Sequence, residues 1–170
     1  YKEHFLAYNP LVLVITNIEF DHADYFKTPE NYIAAFKKMI LQVRTWGFVI
    51  YSSEDKNSQH LMSLREDIHF IWVSQKGFTL WKETFTFPDI EMKVLWDHIL
   101  LDAKLAYVVW HMLGLSDITI LDALESYTGV WRRMERIGVT EHWNILMSDY
   151  GHHPTEISVT LKALKQWYPN

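Results

Sequence analysis

Leu11-Val12-Leu13-Val14-Ile15 constrains this chain more than any other stretch: it is continuously apolar, rich in β-branched residues and too short for a helix. Such a run reads as a strand of a parallel sheet covered on both faces. A polar, acidic loop follows from Thr16 to Tyr25, and Thr28-Pro29 then places an N-cap residue ahead of proline at the first helical position. The next helix carries Ile33, Phe36, Met39, Ile40 and Val43 at three- and four-residue steps, and Gly47 closes the unit. The pattern recurs as a strand from Phe48 to Tyr51, a polar turn from Ser52 to Asn57, a short helix to about Leu64 and a strand from Phe70 to Val73. This alternation predicts an α/β fold with a parallel sheet and helices on its faces.

Thr-rich, aromatic Phe78 to Phe87 suits one or two antiparallel edge strands, ended by Pro88. Two helices are expected next, roughly His98 to Leu113, stopped by Gly114, and roughly Asp117 to Tyr127, with Ser116 as N-cap. From Gly129 to Trp143 the apolar period is lost and three arginines occur, at 132, 133 and 136, which marks a linker. Ile145-Leu146-Met147 is then a short strand, Ser148 to His153 a second polar loop, and Pro154 the start of a helix with Ile157, Leu161 and Leu164 on one face. That strand is expected to lack a partner within this chain.

Composition removes several function classes. A formal charge of −5, spread along 170 residues that are 49% apolar, argues against disorder and against a general nucleic-acid binder. No apolar run approaches the roughly 18 to 20 residues needed to cross a bilayer, and Tyr1-Lys2-Glu3-His4 has no signal-peptide character. With no cysteine there is no disulfide, thiolate metal site or thiol nucleophile, and a reducing cytoplasm fits.

Four groupings could carry chemistry. Glu19, Asp21, His22 and Asp24 crowd the carboxyl end of the first strand, where open α/β sheets bind ligands. Carboxylates and an imidazole suit Mg²⁺ or Mn²⁺, while the same loop also reads as solvated Asx turns capping the next helix. Ser148-Asp149-Tyr150-Gly151-His152-His153-Pro154 leads into a helix N-terminus that favours an anion, or is a polar loop with one His as cap. Trp131-Arg132-Arg133 offers planar guanidinium forks for phosphate, or an ion-paired surface. His98 and Asp102 share a helix face and could hold a ligand or simply pair with each other. The six glycines never form G-x-G-x-x-G or G-x-x-x-x-G-K-[ST], and no G-x-S-x-G elbow occurs.

Three of these stretches, in this order, resemble the Mur ligases of peptidoglycan synthesis. They are Val14-Ile15-Thr16-Asn17-Ile18-Glu19-Phe20-Asp21-His22-Ala23-Asp24-Tyr25, then Tyr127-Thr128-Gly129-Val130-Trp131-Arg132-Arg133-Met134-Glu135, then Ser148-Asp149-Tyr150-Gly151-His152-His153-Pro154-Thr155-Glu156-Ile157. The last is most similar to the branch that joins L-alanine to UDP-N-acetylmuramate, with the murein tripeptide-recycling branch as the nearer alternative. The resemblance implies a three-domain enzyme in which residues 1–133 form the later part of the central ATP-binding α/β domain. Residues 134–170 would then open a Rossmann-like C-terminal domain.

The implied chemistry is ATP-dependent amide formation through an acyl phosphate, serving cell-wall synthesis and thereby cell shape and division. Its substrates would be UDP-N-acetylmuramate and L-alanine, with ATP and Mg²⁺ as cofactors, in the bacterial cytoplasm. No nucleic-acid, membrane or particular oligomeric partner is implied. By the same resemblance His22 would ligate Mg²⁺ and Arg132 would act on the phosphates, both in catalytic roles. Asn17, His98, Asp102, Arg133 and Asp149 would join Arg132 in binding ATP, with Asp149 at the ribose, and His152 and His153 would lie on the substrate side. Three features depart from the family. Its P-loop has no counterpart in these residues, so the chain alone is expected to be inactive. Trp96-Asp97-His98-Ile99 also stands where the family carries Pro-Gly, His-Asn, and Trp110 where a small residue is usual. A non-catalytic nucleotide- or partner-binding module is the alternative outside the ligase class.

Overall fold

The computed structural model describes residues 3–94 and 97–168, with Asp97 described by its backbone alone. Tyr1 and Trp96, which the sequence reading used, lie outside the described residues. The chain divides into two compact units, Tyr1–Asp89 with Leu101–Ile120, and Ile90–Leu100 with Leu121–Asn170.

The first unit is built on a five-stranded sheet of order β1-β2-β3-β4-β5. Strands β1 (Val12–Ile15), β2 (Phe48–Ser52) and β3 (His69–Val73) run parallel, with Val12 opposite Phe48 and Phe48 opposite His69. Helices α1 (Ala23–Phe26) and α2 (Pro29–Leu41) form the first crossover, and the short α3 (Lys56–Gln59) lies in the second. Thr28 caps α2 as its sequence position requires, accepting the Asn31 amide at 3.2 Å. Ile40 and Val43 from the α2 segment pack with Ile15, Ile18, Val49, Tyr51, Leu61 and Ile68 in one core.

One expectation is corrected here. Among the described residues β1 pairs only with β2, Val14 is 38% exposed, and Ile15 alone of the strand is buried. An unbroken apolar run reports what a strand is suited to touch, and an edge position leaves part of it uncovered.

β4 (Gly77–Leu80) and β5 (Glu83–Thr86) form the expected antiparallel hairpin beside β3. Its two-residue turn is Trp81-Lys82, both left-handed with φ of 54° and 70°, a geometry that normally selects Asn and Gly. Gly77 has no freedom to be anything larger, because a Cβ there would stand 2.0 Å from the Phe85 carbonyl oxygen. Helix α4 (Asp97–Met112) ends at Gly114 (φ +82°), and α5 (Asp117–Ser126) starts at Ser116, whose hydroxyl accepts the Thr119 amide at 3.3 Å. Lys104, on α4, is buried in the first unit, and its Nζ donates to the backbone and side-chain carbonyls of Gln75 at 2.6 and 3.1 Å.

In the second unit β6 (Glu135–Val139) pairs antiparallel with β7 (Ile145–Ser148), Glu135 opposite Ser148 and Val139 opposite Ile145. This corrects both the linker expected from Gly129 to Trp143 and the strand expected to lack a partner. The register slips between Arg136 and Gly138, so the apolar alternation that would have signalled β6 is out of phase. Helix α6 (Pro154–Trp167) contributes Ala163 and Leu164 to a small core with Val94, Met134 and Met147, while Ile157 and Leu161 of its apolar face stay exposed. Among the described residues no helix is long and apolar enough to cross a membrane.

Candidate functional site

In the first unit the loop after β1 is fixed by a residue the sequence reading passed over. Asp55 accepts the Ile18 amide at 2.9 Å and also caps α3 through the amides of Asn57 and Ser58 and the Ser58 hydroxyl. Asn57 returns the contact, its side-chain amide donating to the Ile18 carbonyl at 2.6 Å. Ile18 is therefore pinned, buried, between exposed Asn17 and Glu19. The available signal was Asp55-Lys56-Asn57-Ser58 itself, an N-cap sequence at the carboxyl end of β2.

Just beyond, Asp21 accepts the amide of His22 at 2.6 Å, and its other oxygen lies 3.9 Å from His22 Nε2. His22 holds a left-handed backbone, φ 54°, at the start of α1. The loop carries a negative field: the Tyr32 hydroxyl is pushed up first by burial and then by the charges of Asp21 and Glu19. Among the described residues no three His, Asp or Glu side chains converge on a metal position, so Glu19, Asp21, His22 and Asp24 are not gathered as a chelate. An adjacent carboxylate and imidazole, half exposed, still suit Mg²⁺, which takes one or two protein ligands and fills the rest with water and phosphate.

The second unit brings together five of the residues singled out from sequence. Arg132, left-handed at φ 58°, donates its amide to Glu135 at 3.0 Å and accepts the Tyr150 amide at 2.8 Å. Its guanidinium carbon lies 5.4 Å from the Trp131 ring and 4.8 Å from the Tyr150 ring. Cation–π contact of this kind orients the fork without neutralising it. Asp149 holds the Met134 amide at 2.8 Å and the Gly151 amide at 2.6 Å, one on each oxygen.

Glu156 organises the remainder. It accepts the amides of His152 and His153 at 3.1 and 3.3 Å and lies 3.5 Å from Arg133 Nη1 and 3.6 Å from His152 Nδ1. Burial works to raise its pKa, but those amides and the Arg133 and His152 charges together hold it below the usual carboxylate value. His153 caps α6, its Nδ1 accepting the Thr155 amide at 3.3 Å. Tyr150, not selected from sequence, supplies one of the two rings on Arg132, and an aromatic residue next to Asp149 was its only signal. His98 and Asp102 lie one turn apart on α4, the first half-buried and the second exposed.

The family model for the Mur ligase middle domain matches residues 2–108. The chain belongs to the Mur ligase family. Over 97% of its length it is 35% identical to the UDP-N-acetylmuramate–L-alanine ligase of Acetivibrio thermocellus, and over 98% it is 33% identical to that of Caldicellulosiruptor bescii. It spans about two fifths of the length of these curated relatives. Among solved structures, the UDP-N-acetylmuramate–alanine ligase of Thermotoga maritima superposes with a TM-score of 0.73 at 24% identity, covering 99% of this chain and 41% of that one. A murein peptide ligase from Psychrobacter arcticus gives 0.66 at 22% identity, covering 96% and 36%. The Mur ligase α/β fold is thus shared, with parallel strands leading into an antiparallel edge.

Proposed function

We propose that this chain is a portion of an ATP-dependent ligase joining L-alanine to UDP-N-acetylmuramate in bacterial cytoplasmic peptidoglycan synthesis. Residues 1–133 supply the later part of its central domain and 134–170 the opening of its C-terminal domain. The observation that carries this reading is the 35% identity, across 97% of the chain, to a protein named for that reaction. ATP phosphorylates the muramyl carboxylate; the L-alanine amine then attacks the acyl phosphate, forming the amide and expelling phosphate.

The chain's own residues fall into matching roles. Arg132, oriented by Trp131 and Tyr150, presents a fork to the ATP phosphates, and Arg133 adds a second cation. Asp149 has each oxygen committed to one backbone amide, which leaves further lone pairs that would accept from the ribose hydroxyls. His98 and Asp102 contact ATP from α4, with Asn17 near the nucleotide. Because His153 Nδ1 accepts an amide, its ring proton sits on Nε2, a donor for the acidic substrate, with His152 beside it. His22, beside Asp21, would hold Mg²⁺, which offsets phosphate charge when bound.

These residues lack a phosphate-cradling loop, so the 170-residue chain alone releases no phosphate from ATP with both substrates present. A chimera tests the reading: the preceding and following segments of the Acetivibrio thermocellus ligase are joined to this chain. ADP release that requires both L-alanine and UDP-N-acetylmuramate is the expected result. Release driven by a murein tripeptide instead of L-alanine would move the chain to the recycling branch, and release by the isolated chain would overturn the division of labour.

A further inference from the structure

We infer, resting on the ligase reading for what the loop then holds, that Asp55 and Asn57 are positioning residues: they set the loop that carries Asn17 and His22 without acting on a reacting group themselves. Of residues 16–25, Ile18 alone is buried, so this loop has one residue sunk in the core. The Ile18 side chain, 1% exposed, packs with Ile15, Ile40 and Val49. Its amide donates to Asp55 Oδ2 at 2.9 Å, and its carbonyl accepts from the Asn57 side-chain amide at 2.6 Å. Both partners sit at the start of α3, 37 and 39 residues further along the chain, so the latch ties one loop at the carboxyl end of the sheet to the next.

The latch reaches the functional residues through the backbone. Asn17 is joined to Ile18 by one peptide plane, and His22 follows four residues on, so the Ile18 backbone fixes where both begin. Groups that orient a metal ligand from behind typically carry about 10–100-fold in metal affinity or activity. The two latch residues differ in what else they do. Asp55 also caps α3 through the amides of Asn57 and Ser58 and the Ser58 hydroxyl, so its loss harms helix and loop together. Asn57 gives its backbone amide to the cap and its side chain to Ile18, so truncating that side chain opens the latch and spares the cap. Ser58 is the converse: its hydroxyl donates to Asp55, and its loss weakens the cap while both Ile18 bonds stay in place.

Asn57→Ala and Ser58→Ala therefore separate positioning from stability. In the metal-free 170-residue chain, Asn57→Ala should speed amide exchange across residues 17–22 about tenfold with β2 and β3 unaffected, whereas Ser58→Ala should lower the urea midpoint and leave that loop as protected as before. In the chimera with the Acetivibrio thermocellus segments, Asn57→Ala should raise the Mg²⁺ concentration for half-maximal ADP release about tenfold with the KM for L-alanine unchanged, and Ser58→Ala should change neither. Unchanged loop exchange in Asn57→Ala would overturn the latch. Faster exchange with an unaltered Mg²⁺ requirement would overturn its positioning role, and an equal Mg²⁺ shift in Ser58→Ala would reduce Asn57 to a fold-stabilising residue. An inactive parent chimera would count against the ligase reading instead, and loop exchange would then decide the latch by itself.

Discussion

The carboxylate of Asp55 accepts the backbone amide of Ile18 at 2.9 Å, joining the loop after β1 to the loop after β2. The same side chain caps α3. Replacing Asp55 with Ala removes the cap and leaves a buried amide without an acceptor, a loss of about 2–4 kcal/mol. Asp55→Asn keeps one oxygen for the Ile18 and Ser58 amides, giving up only the longer bond from Asn57, and should lose less than half as much. Urea denaturation of the two variants measures the difference.

Glu156 sets an acid limit on the second unit. Its folded pKa lies below the ordinary 4.5, so its stabilising contribution is complete above that value and is lost as the pH falls through the lowered one. Amide exchange at His152 and His153 should accelerate, relative to the unfolded chain, across that acid range. Glu156→Gln should abolish the acceleration, and an unchanged profile in the variant would remove Glu156 as its source.

Lys104 gives a slope of the same sign at high pH. Burial pulls its pKa below the ordinary 10.5, against the charge of Glu54, which pushes it up. Between the lowered value and 10.5 the unfolded chain binds more protons than the folded one, so stability from this group rises with pH. Lys104→Met should flatten that rise in denaturation curves taken across the alkaline range.

The hairpin turn can be improved. Lys82 holds a φ of 70° with a side chain that L residues seldom place there. Lys82→Gly should stabilise the chain by about 0.5–1 kcal/mol, the relief of strain exceeding the entropy glycine adds to the unfolded state. The neighbouring Trp81→Asn should gain less, because Trp81 stacks edge-on against His69 and Phe48 at 4.7 and 5.7 Å. Thermal melts of the two variants rank them.

Where local chemistry and cover coincide, the sequence was readable. Thr28-Pro29 and the spacing from Ile33 to Ile40 announced α2, and Ser116 announced α5, because a cap and an apolar stripe are properties of adjacent residues. β6 was unreadable for a physical reason: a bulged, largely exposed strand has neither phase nor apolar content to display. In the candidate site, Arg132, Arg133, Asp149, His152 and His153 were selected as residue types beside a helix start. Their ordering through Glu156 and Tyr150 depends on contacts across loops, which spacing does not encode. Asp55 looked like any turn aspartate until Ile18 was seen on it.

The change from parallel to antiparallel pairing at β3 also divides the first unit in time. β4 and β5 meet across two residues, and such hairpins close in about 1–10 μs. β1 reaches β2 only after the whole α1–α2 crossover has been gathered in, a closure that long-range parallel pairing makes slow. The hairpin pairing is therefore expected to close first, and the loop bearing Asn17 and His22 to take its final position only with the slow parallel half.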